Sequence, residues 1–170
     1  MRRWILIAFG LLCAAALSQI PTFHQQYLQR LGGHVDELAQ QVSAIDERAE
    51  KVDKQRYDYI RDLIGNSDAS ARQEGEYLLE LVTRHVTLRN SLQRLETMPM
   101  LYIGGALLLE CDPKIAFATL KNLKPAVPLT LAGAGYAIAG FYIGYLGLMF
   151  LISLFHWRKV PVKEPEARER

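Results

Sequence analysis

LTLAGAGYAIAGFYIGYLGLMFLISLF, residues 129–155, is the stretch of this chain that decides the fold. It continues for 27 residues without a charged side chain. About 20 apolar residues in a helix are enough to cross the ~30 Å hydrocarbon core of a bilayer. The sequence therefore predicts a transmembrane helix over residues 129–157.

A second uncharged stretch, WILIAFGLLCAAALSQI, occupies residues 4–20 near the N-terminus. Its length is at the short end of the range for a span, and the basic residues before it and the alanines at 14–16 also fit a cleavable signal peptide. However, apolar residues continue beyond the alanines to Ile20, and helical periodicity follows directly. We expect residues 1–20 to be retained as an N-terminal transmembrane helix, with cleavage as the alternative.

Basic residues flank both apolar stretches on the side away from the middle of the chain. Arg2 and Arg3 precede the first stretch, and five Lys or Arg residues lie within 158–170, after the second. Because cytoplasmic flanks carry an excess of Lys and Arg, we expect both termini to be cytoplasmic and residues 21–128 to be periplasmic. Residues 158–170 are short and charged, which predicts a disordered cytoplasmic tail.

Several classes of function find no support in the composition. A net charge of +2 is too small to indicate nucleic-acid binding. His34 and Glu37 share a helix face, but no second histidine follows at the spacing that a zinc protease needs. Cys13 and Cys111 give no internal disulfide framework. We expect no enzymatic activity, no cofactor and no metal.

The middle of the chain, in contrast, is rich in charged residues and has a seven-residue apolar period on two consecutive segments. A strict period of this kind predicts the seam of a left-handed coiled coil. GNSDAS, residues 65–70, has the residue types that end one helix and cap the next. We therefore predict an antiparallel coiled-coil helical hairpin over residues 21–98 with its turn near 65–70. The seam comprises Leu38, Val42, Ile45, Ala49, Val52, Leu78, Leu81, His85, Leu88, Leu92 and Leu95.

The seam also predicts which residues face each other across the hairpin. If the first helix continues through Arg56 to the turn, the numbers of facing residues sum to 133–134, which pairs Ile45 with Leu88 and places large His85 against small Ala49. A histidine at that position could make the hairpin sensitive to pH. Alternatively, the stripes could serve a homo-oligomer, such as a four-helix bundle of two hairpins.

Two adjacent glycines, Gly32 and Gly33, interrupt the first helix of the hairpin near its start. Glycine in a helix interior costs roughly 1 kcal/mol relative to alanine. We expect the pair either to admit another helix closely or to act as a hinge between anchor and hairpin. A local kink without function is the alternative.

Residues 99–128 connect the hairpin to the second span and predict interfacial or re-entrant segments. MLYIGGALLLE, residues 100–110, is apolar but too short to span. Asp112 is placed to cap a short amphipathic helix whose first residue is Pro113. Basic side chains on that helix could extend to lipid headgroups, so membrane lipid is an expected partner.

Small residues form a stripe along each predicted span. In lipid, such stripes allow helix backbones to approach closely. The stripes predict that the two spans pack against each other. They comprise Gly133, Ala137, Gly140, Gly144 and Gly147 on the second span and Gly10, Ala14 and Ser18 on the first.

Two blocks of the sequence, QQYLQRLGGHVDEL (25–38) and LKPAVPLTLAGAGYAIAGFYIGYLG (123–147), resemble a known family. It is an uncharacterised bacterial inner-membrane family, a domain-of-unknown-function group of small two-span proteins. The blocks bracket nearly the whole chain. The resemblance implies a retained first span and a location in the bacterial envelope, and it supplies no catalytic residues.

The expected fold is thus an all-α membrane protein with two transmembrane helices flanking a helical hairpin and short interfacial helices. We expect a non-enzymatic inner-membrane scaffold or protein-interaction module that binds lipid, itself or an unknown envelope protein. The alternative is an accessory subunit of a larger transporter or sensor, docked through the small-residue stripe of the second span.

Overall fold

The computed structural model describes residues 1–99, 102–125 and 130–157, and the predicted tail at 158–170 lies outside these residues. The described residues form seven helices and no strand, which confirms the all-α fold class. The chain divides into a terminal unit, Met1–Ile20 with Ala126–Arg170, and a central unit, Pro21–Pro125. The helices are α1 (Arg2–Leu17), α2 (Ile20–Glu50), α3 (Arg56–Ile64), α4 (Ala69–Thr97), α5 (Ile103–Glu110), α6 (Pro113–Lys121) and α7 (Leu131–Trp157).

The two apolar stretches both form helices that are long and apolar enough to cross a membrane. One begins at Arg2 and the other covers Leu131–Leu154, and only 22% and 11% of their apolar windows are buried within the chain. The core helix of a soluble protein would be mostly buried instead. These apolar surfaces therefore suit a lipid environment.

In the terminal unit, α1 and α7 pack through part of the predicted small-residue stripe. A Cβ added at Gly140 would lie 2.7 Å from the carbonyl oxygen of Cys13, and one at Gly144 would lie 2.7 Å from the Sγ of Cys13. A Cβ at Gly10 would lie 2.9 Å from the ring of Phe141. These three glycines bring the two helices into close contact.

The remaining stripe residues are buried to different extents. Gly133 is buried, whereas Ala14, Ser18 and Ala137 are partly buried. Gly147 is exposed, and a Cβ there would meet nothing within 4 Å. The middle of the stripe therefore packs against the other helix, whereas its last glycine, Gly147, makes no such contact.

The central unit is built around two apolar clusters. The foot cluster joins the first half of α2 to the end of α4 and to the two short helices, and the distal cluster joins the second half of α2 to α3 and the first half of α4. The foot cluster consists of Tyr27, Leu31, Val35, Leu88, Leu95, Ala106 and Ile115. The distal cluster consists of Val42, Ile45, Ile60, Leu78, Leu81 and Val82.

The contacts between α2 and α4 contradict the predicted register. His24 Nε2 lies 3.2 Å from the carbonyl oxygen of Leu95, and Arg48 pairs with Glu74 at 3.7 Å. The numbers of facing residues therefore sum to about 120 rather than 133–134. The difference of about 13 or 14 residues corresponds to nearly four helical turns.

Individual pairings of the predicted seam change accordingly. Ile45 belongs to the distal cluster and Leu88 to the foot cluster, so these two side chains do not face each other. Ala49 is buried, but His85 is only partly buried and lies far from it along the helices. Leu38 and Leu92 are partly buried beside the foot cluster.

The register differs because the first helix does not continue to the turn at 65–70. α2 ends at Glu50, and Asp53 adopts a positive φ of 54°. The N–H of Lys54 bonds to the carbonyl of Ala49 at 3.0 Å, and the N–H of Asp53 bonds to that of Glu50 at 3.0 Å. This pair of bonds is a Schellman motif, which ends a helix with one left-handed residue. Val52, predicted in the seam, instead lies in this turn and is exposed.

Charged pairs hold the turn between α2 and α3 together. Arg56, the first residue of α3, donates from Nε to Asp46 Oδ1 at 2.6 Å and makes a second bond to the same carboxylate. These bonds lower the pKa of Asp46 and raise that of Arg56. Lys54 pairs with Asp62 at 2.6 Å. Arg56 therefore closes the turn, although it occupied a seam position in the sequence pattern.

The short helix α3 packs closely on α4 at Gly75. A Cβ added there would lie 2.8 Å from the backbone nitrogen of Ile64 and 2.9 Å from the Cβ of Leu63. Such distances are shorter than ordinary contacts between carbon atoms. Gly75 thus allows the end of α3 to rest on α4.

Gly32 and Gly33 lie within α2, which is continuous from Ile20 to Glu50. A Cβ added at either glycine would meet nothing within 4 Å. No other part of the described chain packs closely on these two glycines, so close approach of a helix from another molecule stays a prediction. A hinge at this point stays a prediction.

Candidate functional site

Tyr27 lies at the centre of the foot cluster and is completely buried. Its hydroxyl oxygen accepts a hydrogen bond from the backbone N–H of Asp112 at 2.9 Å, and its ring stacks on Phe23 with centroids 6.1 Å apart. Burial raises the pKa of Tyr27, so the phenol stays protonated. Its hydroxyl thus has a structural partner at the start of α6.

Asp112 connects this buried tyrosine to α6. Its side chain caps the helix by accepting from the N–H groups of Lys114 at 2.9 Å and Ile115 at 3.1 Å, with a proline at the first position. This cap confirms the one predicted from the sequence. Arg84 of α4 approaches the same carboxylate at 3.5 Å. The start of α6 is therefore fixed to both α2 and α4.

The other short helix, α5, is attached to α4 at its end. Arg94 donates to Glu110 from Nε at 3.0 Å and from Nη2 at 2.6 Å, a forked contact on one carboxylate oxygen. Ile103 and Ala106 are buried on the inner side of α5. A helix of eight residues, too short to be stable alone, is thereby held against the unit.

Large apolar side chains project outward from α5 and α6. Leu108 and Leu109 are 88% and 87% exposed, and Phe117 is 70% exposed. We call this set the exposed apolar surface. It consists of Tyr102, Leu108, Leu109, Phe117 and Leu120. Five large apolar side chains on or beside these two short helices are thus exposed on the central unit.

The sequence of α6 separates buried from exposed positions clearly. Ile115 and Thr119 are buried, and the Thr119 hydroxyl donates to the carbonyl of Ile115 at 2.8 Å. Phe117 is exposed, and Lys114 and Lys121, three before and four after it, are exposed on the same side. The outer face of α6 therefore combines basic side chains with a large apolar one.

Beside α6 lies an open groove of about 620 Å³. The side-chain amide of Gln26 joins early α2 to the segment after α6. Its Nε2 donates to the carbonyl of Lys124 at 3.0 Å, and its Oε1 accepts from the N–H of Lys124 at 3.2 Å. All the lining side chains are polar or basic. They are Gln26, Gln29, Arg30, Thr119, Asn122 and Lys124.

The residues singled out for chemistry in the sequence do not come together. His34 and Glu37 are exposed and 4.0 Å apart on α2. Cys13 belongs to the terminal unit and Cys111 to the central unit, and both thiols are free. Burial raises the pKa of Cys111, which keeps its thiol protonated and weakly nucleophilic.

Sequence reasoning missed the residues that organise this region. His24 and Tyr27 lie on the buried face of early α2 beside Leu31 and Val35, and these two polar residues are the ones that the apolar period did not include. His24 and Tyr27 are polar enough to be read as surface residues, although the spacing of three and four marks one helix face. The bonds between Gln26 and Lys124 join residues far apart in sequence and have no local signature.

Residues 1–159 match a family described as a protein of unknown function (DUF2937). No curated protein and no solved structure matches the chain.

Proposed function

Because the chain belongs to the DUF2937 family, whose function is not assigned, we propose a function from the geometry: a non-enzymatic membrane protein that carries an interaction module on the membrane surface. The exposed apolar surface of α5 and α6 supports this proposal best. Burial of a leucine or phenylalanine side chain contributes about 1.5–3 kcal/mol, so these residues favour a lipid interface over water.

The order of segments along the chain supports the same placement. Tyr27 follows the first apolar stretch, which ends at Ile20, by seven positions, and α6 ends ten positions before Leu131. At 1.5 Å per helical residue, early α2 extends only about 10 Å from the end of that stretch. Lipid headgroups are therefore within reach of the foot cluster and of α6.

In this proposal, α2 and α4 act as an antiparallel coiled-coil hairpin. The buried polar groups at the foot support a structural rather than a catalytic role. His24 contacts the carbonyl of Leu95, and Tyr27 contacts the N–H of Asp112. The distal end, where Tyr57 and Tyr77 are exposed, is then available for an envelope protein or a second copy of the chain.

We place the protein in the bacterial inner membrane with both termini in the cytoplasm and residues 21–128 in the periplasm. The basic residues Arg2 and Arg3 before the first apolar stretch support this orientation. A cysteine at Asn66, an exposed residue between α3 and α4, would then react with an impermeant maleimide added to intact spheroplasts. Labelling only after membrane rupture would indicate the opposite orientation, with Asn66 in the cytoplasm.

A photo-crosslinking amino acid tests the lipid contact in cells. We expect the residue at Leu109 or Phe117 to give adducts with the mass of a phospholipid, and the residue at exposed Tyr57 to give none. Protein adducts in place of lipid adducts at Leu109 and Phe117 would contradict the proposal.

The second candidate is an accessory subunit of a transporter or sensor. It requires a free helix face in the membrane, and exposed Ile143 and Phe150 of α7 offer one. Gly140 and Gly144 already contact α1, so a partner would have to use another face of α7. Protein adducts from a crosslinker at Ile143 would favour this candidate.

A further inference from the structure

The groove between early α2 and the segment after α6 carries positive charge without compensation. Its two ionisable lining residues are Arg30 and Lys124, and the other lining side chains are neutral. Among the described residues, neither cation has a carboxylate within 4.0 Å. Arg84 and Arg94, by comparison, each contact one. The groove therefore favours an anion.

The two cationic residues lie on the two segments that form the groove. Gln26 fixes the backbone of Lys124 with two hydrogen bonds. Arg30 follows Gln26 by four residues on α2 and therefore lies on the same face of that helix. Arg30 and Lys124 thus line the groove from the two segments that Gln26 joins, and neither charged group takes part in those two bonds.

From these observations we infer that the groove binds the phosphodiester headgroup of an anionic phospholipid. The planar guanidinium of Arg30 matches two phosphate oxygens, and Lys124 supplies a point charge. Asn122 and Gln29 offer polar groups for the glycerol part of the headgroup. A groove of about 620 Å³ is within the size range of small-molecule sites.

The choice of a lipid over free phosphate rests on the proposed function. Thr119 lines the groove, while Phe117 and Leu120 project outward from the same helix. If α6 lies in the interface, acyl chains pack on these two side chains while the headgroup occupies the groove. Free phosphate would gain nothing from the apolar residues.

The test is lipid retention by the full-length protein. The protein is purified in detergent from vesicles of phosphatidylcholine and phosphatidylglycerol. It is then released from the detergent micelles in a mass spectrometer, and the lipids that stay bound are identified and counted. We expect wild type to retain phosphatidylglycerol preferentially. The double variant R30Q/K124Q should lose about tenfold in that retention, as expected when charge-assisted bonds are removed.

The matched control is K51Q/R89Q, which also removes one lysine and one arginine, both at exposed positions outside the groove, and leaves α6 unchanged. It should retain the lipid nearly as wild type does. Equal loss in both double variants, or no loss in R30Q/K124Q, would overturn the inference. Displacement of phosphatidylglycerol by millimolar inorganic phosphate would assign the groove to free phosphate and would overturn the lipid assignment. Circular dichroism verifies that each variant is folded.

A wrong assignment of the groove can be distinguished from a wrong placement of α6 at the lipid interface. Lipid adducts from a crosslinker at Phe117 report on α6 at the interface, whatever the groove binds. If these adducts persist while R30Q/K124Q retains lipid normally, the groove assignment is wrong and the interfacial placement stands.

Discussion

The hydroxyl oxygen of Tyr27 lies 2.9 Å from the backbone nitrogen of Asp112, across 85 positions of sequence, and accepts its hydrogen bond. This contact connects early α2 to the residue that caps α6. It determines where α6 begins relative to α2, and hence where the exposed apolar surface and the basic groove lie on the central unit.

Removing this hydroxyl should weaken the foot of the central unit. Y27F keeps the ring but removes the partner of the partly buried N–H of Asp112, which costs about 1 kcal/mol. We expect Y27F to have a lower free energy of unfolding than the wild type in urea titrations of the full chain in micelles. Y77F, at an exposed tyrosine of α4, should change it little. Equal effects would show that the Asp112 contact contributes nothing.

Substitutions at Asp53 distinguish the observed turn from a continuous helix by the sign of their effect. At a positive φ, glycine is favoured over other residues, so D53G should raise the thermal midpoint and D53A should lower it. In a continuous helix alanine would be the better residue and glycine the worse. A thermal midpoint that rises in D53A and falls in D53G would contradict the Schellman motif.

Two glycines of the central unit should respond in opposite directions to alanine. G75A places a Cβ 2.8 Å from the backbone of Ile64 and should destabilise the contact between α3 and α4 by about 1–3 kcal/mol. G33A introduces no contact and improves helix propensity, so it should stabilise by up to about 1 kcal/mol. Both effects are measured by chemical denaturation. Destabilisation by G33A would indicate that Gly33 acts as more than an open helical position.

Packing in the terminal unit is tested by a similar pair. In G140A the new Cβ would meet the backbone of Cys13, so α1 and α7 must separate and the thermal midpoint in micelles should fall. G147A meets open space and should leave the midpoint nearly unchanged. If G147A proves the more damaging, Gly147 contacts another chain.

His24 should make the central unit less stable at mildly acidic pH. The imidazole is buried against the carbonyl of Leu95, and burial lowers its pKa below 6.5. The unfolded chain then binds a proton more readily than the folded one, so stability present above pH 6.5 is lost as pH falls below that value. H24Q should flatten the dependence of unfolding free energy between pH 7 and 5.

The sequence predicts those features that depend on local chemistry. Absence of charge over 129–155 predicts an apolar helix in any context, and Asp112 followed by proline predicts a helix start from adjacent residues alone. Both features require no knowledge of distant contacts.

The register of α2 and α4 could not be derived in the same way. A Schellman motif usually has glycine at its left-handed position, and this chain has Asp53 there, so the apolar period seemed to continue across the turn. The polar residue Arg56 within that period was the available signal of a break. The groove depends on Gln26 meeting Lys124, a contact that only the folded chain reveals.

The depth of Phe117 in a bilayer tests the proposed interfacial placement most directly. A nitroxide is attached to a cysteine at this position in full-length protein whose native cysteines are replaced, and its collisions with oxygen and with an aqueous nickel complex are compared in nanodiscs. We expect collisions with oxygen to be the more frequent at Phe117, and collisions with the nickel complex to be the more frequent at a nitroxide placed at Tyr77 of α4. Equal access of nickel to both positions would place α6 in water and contradict the account.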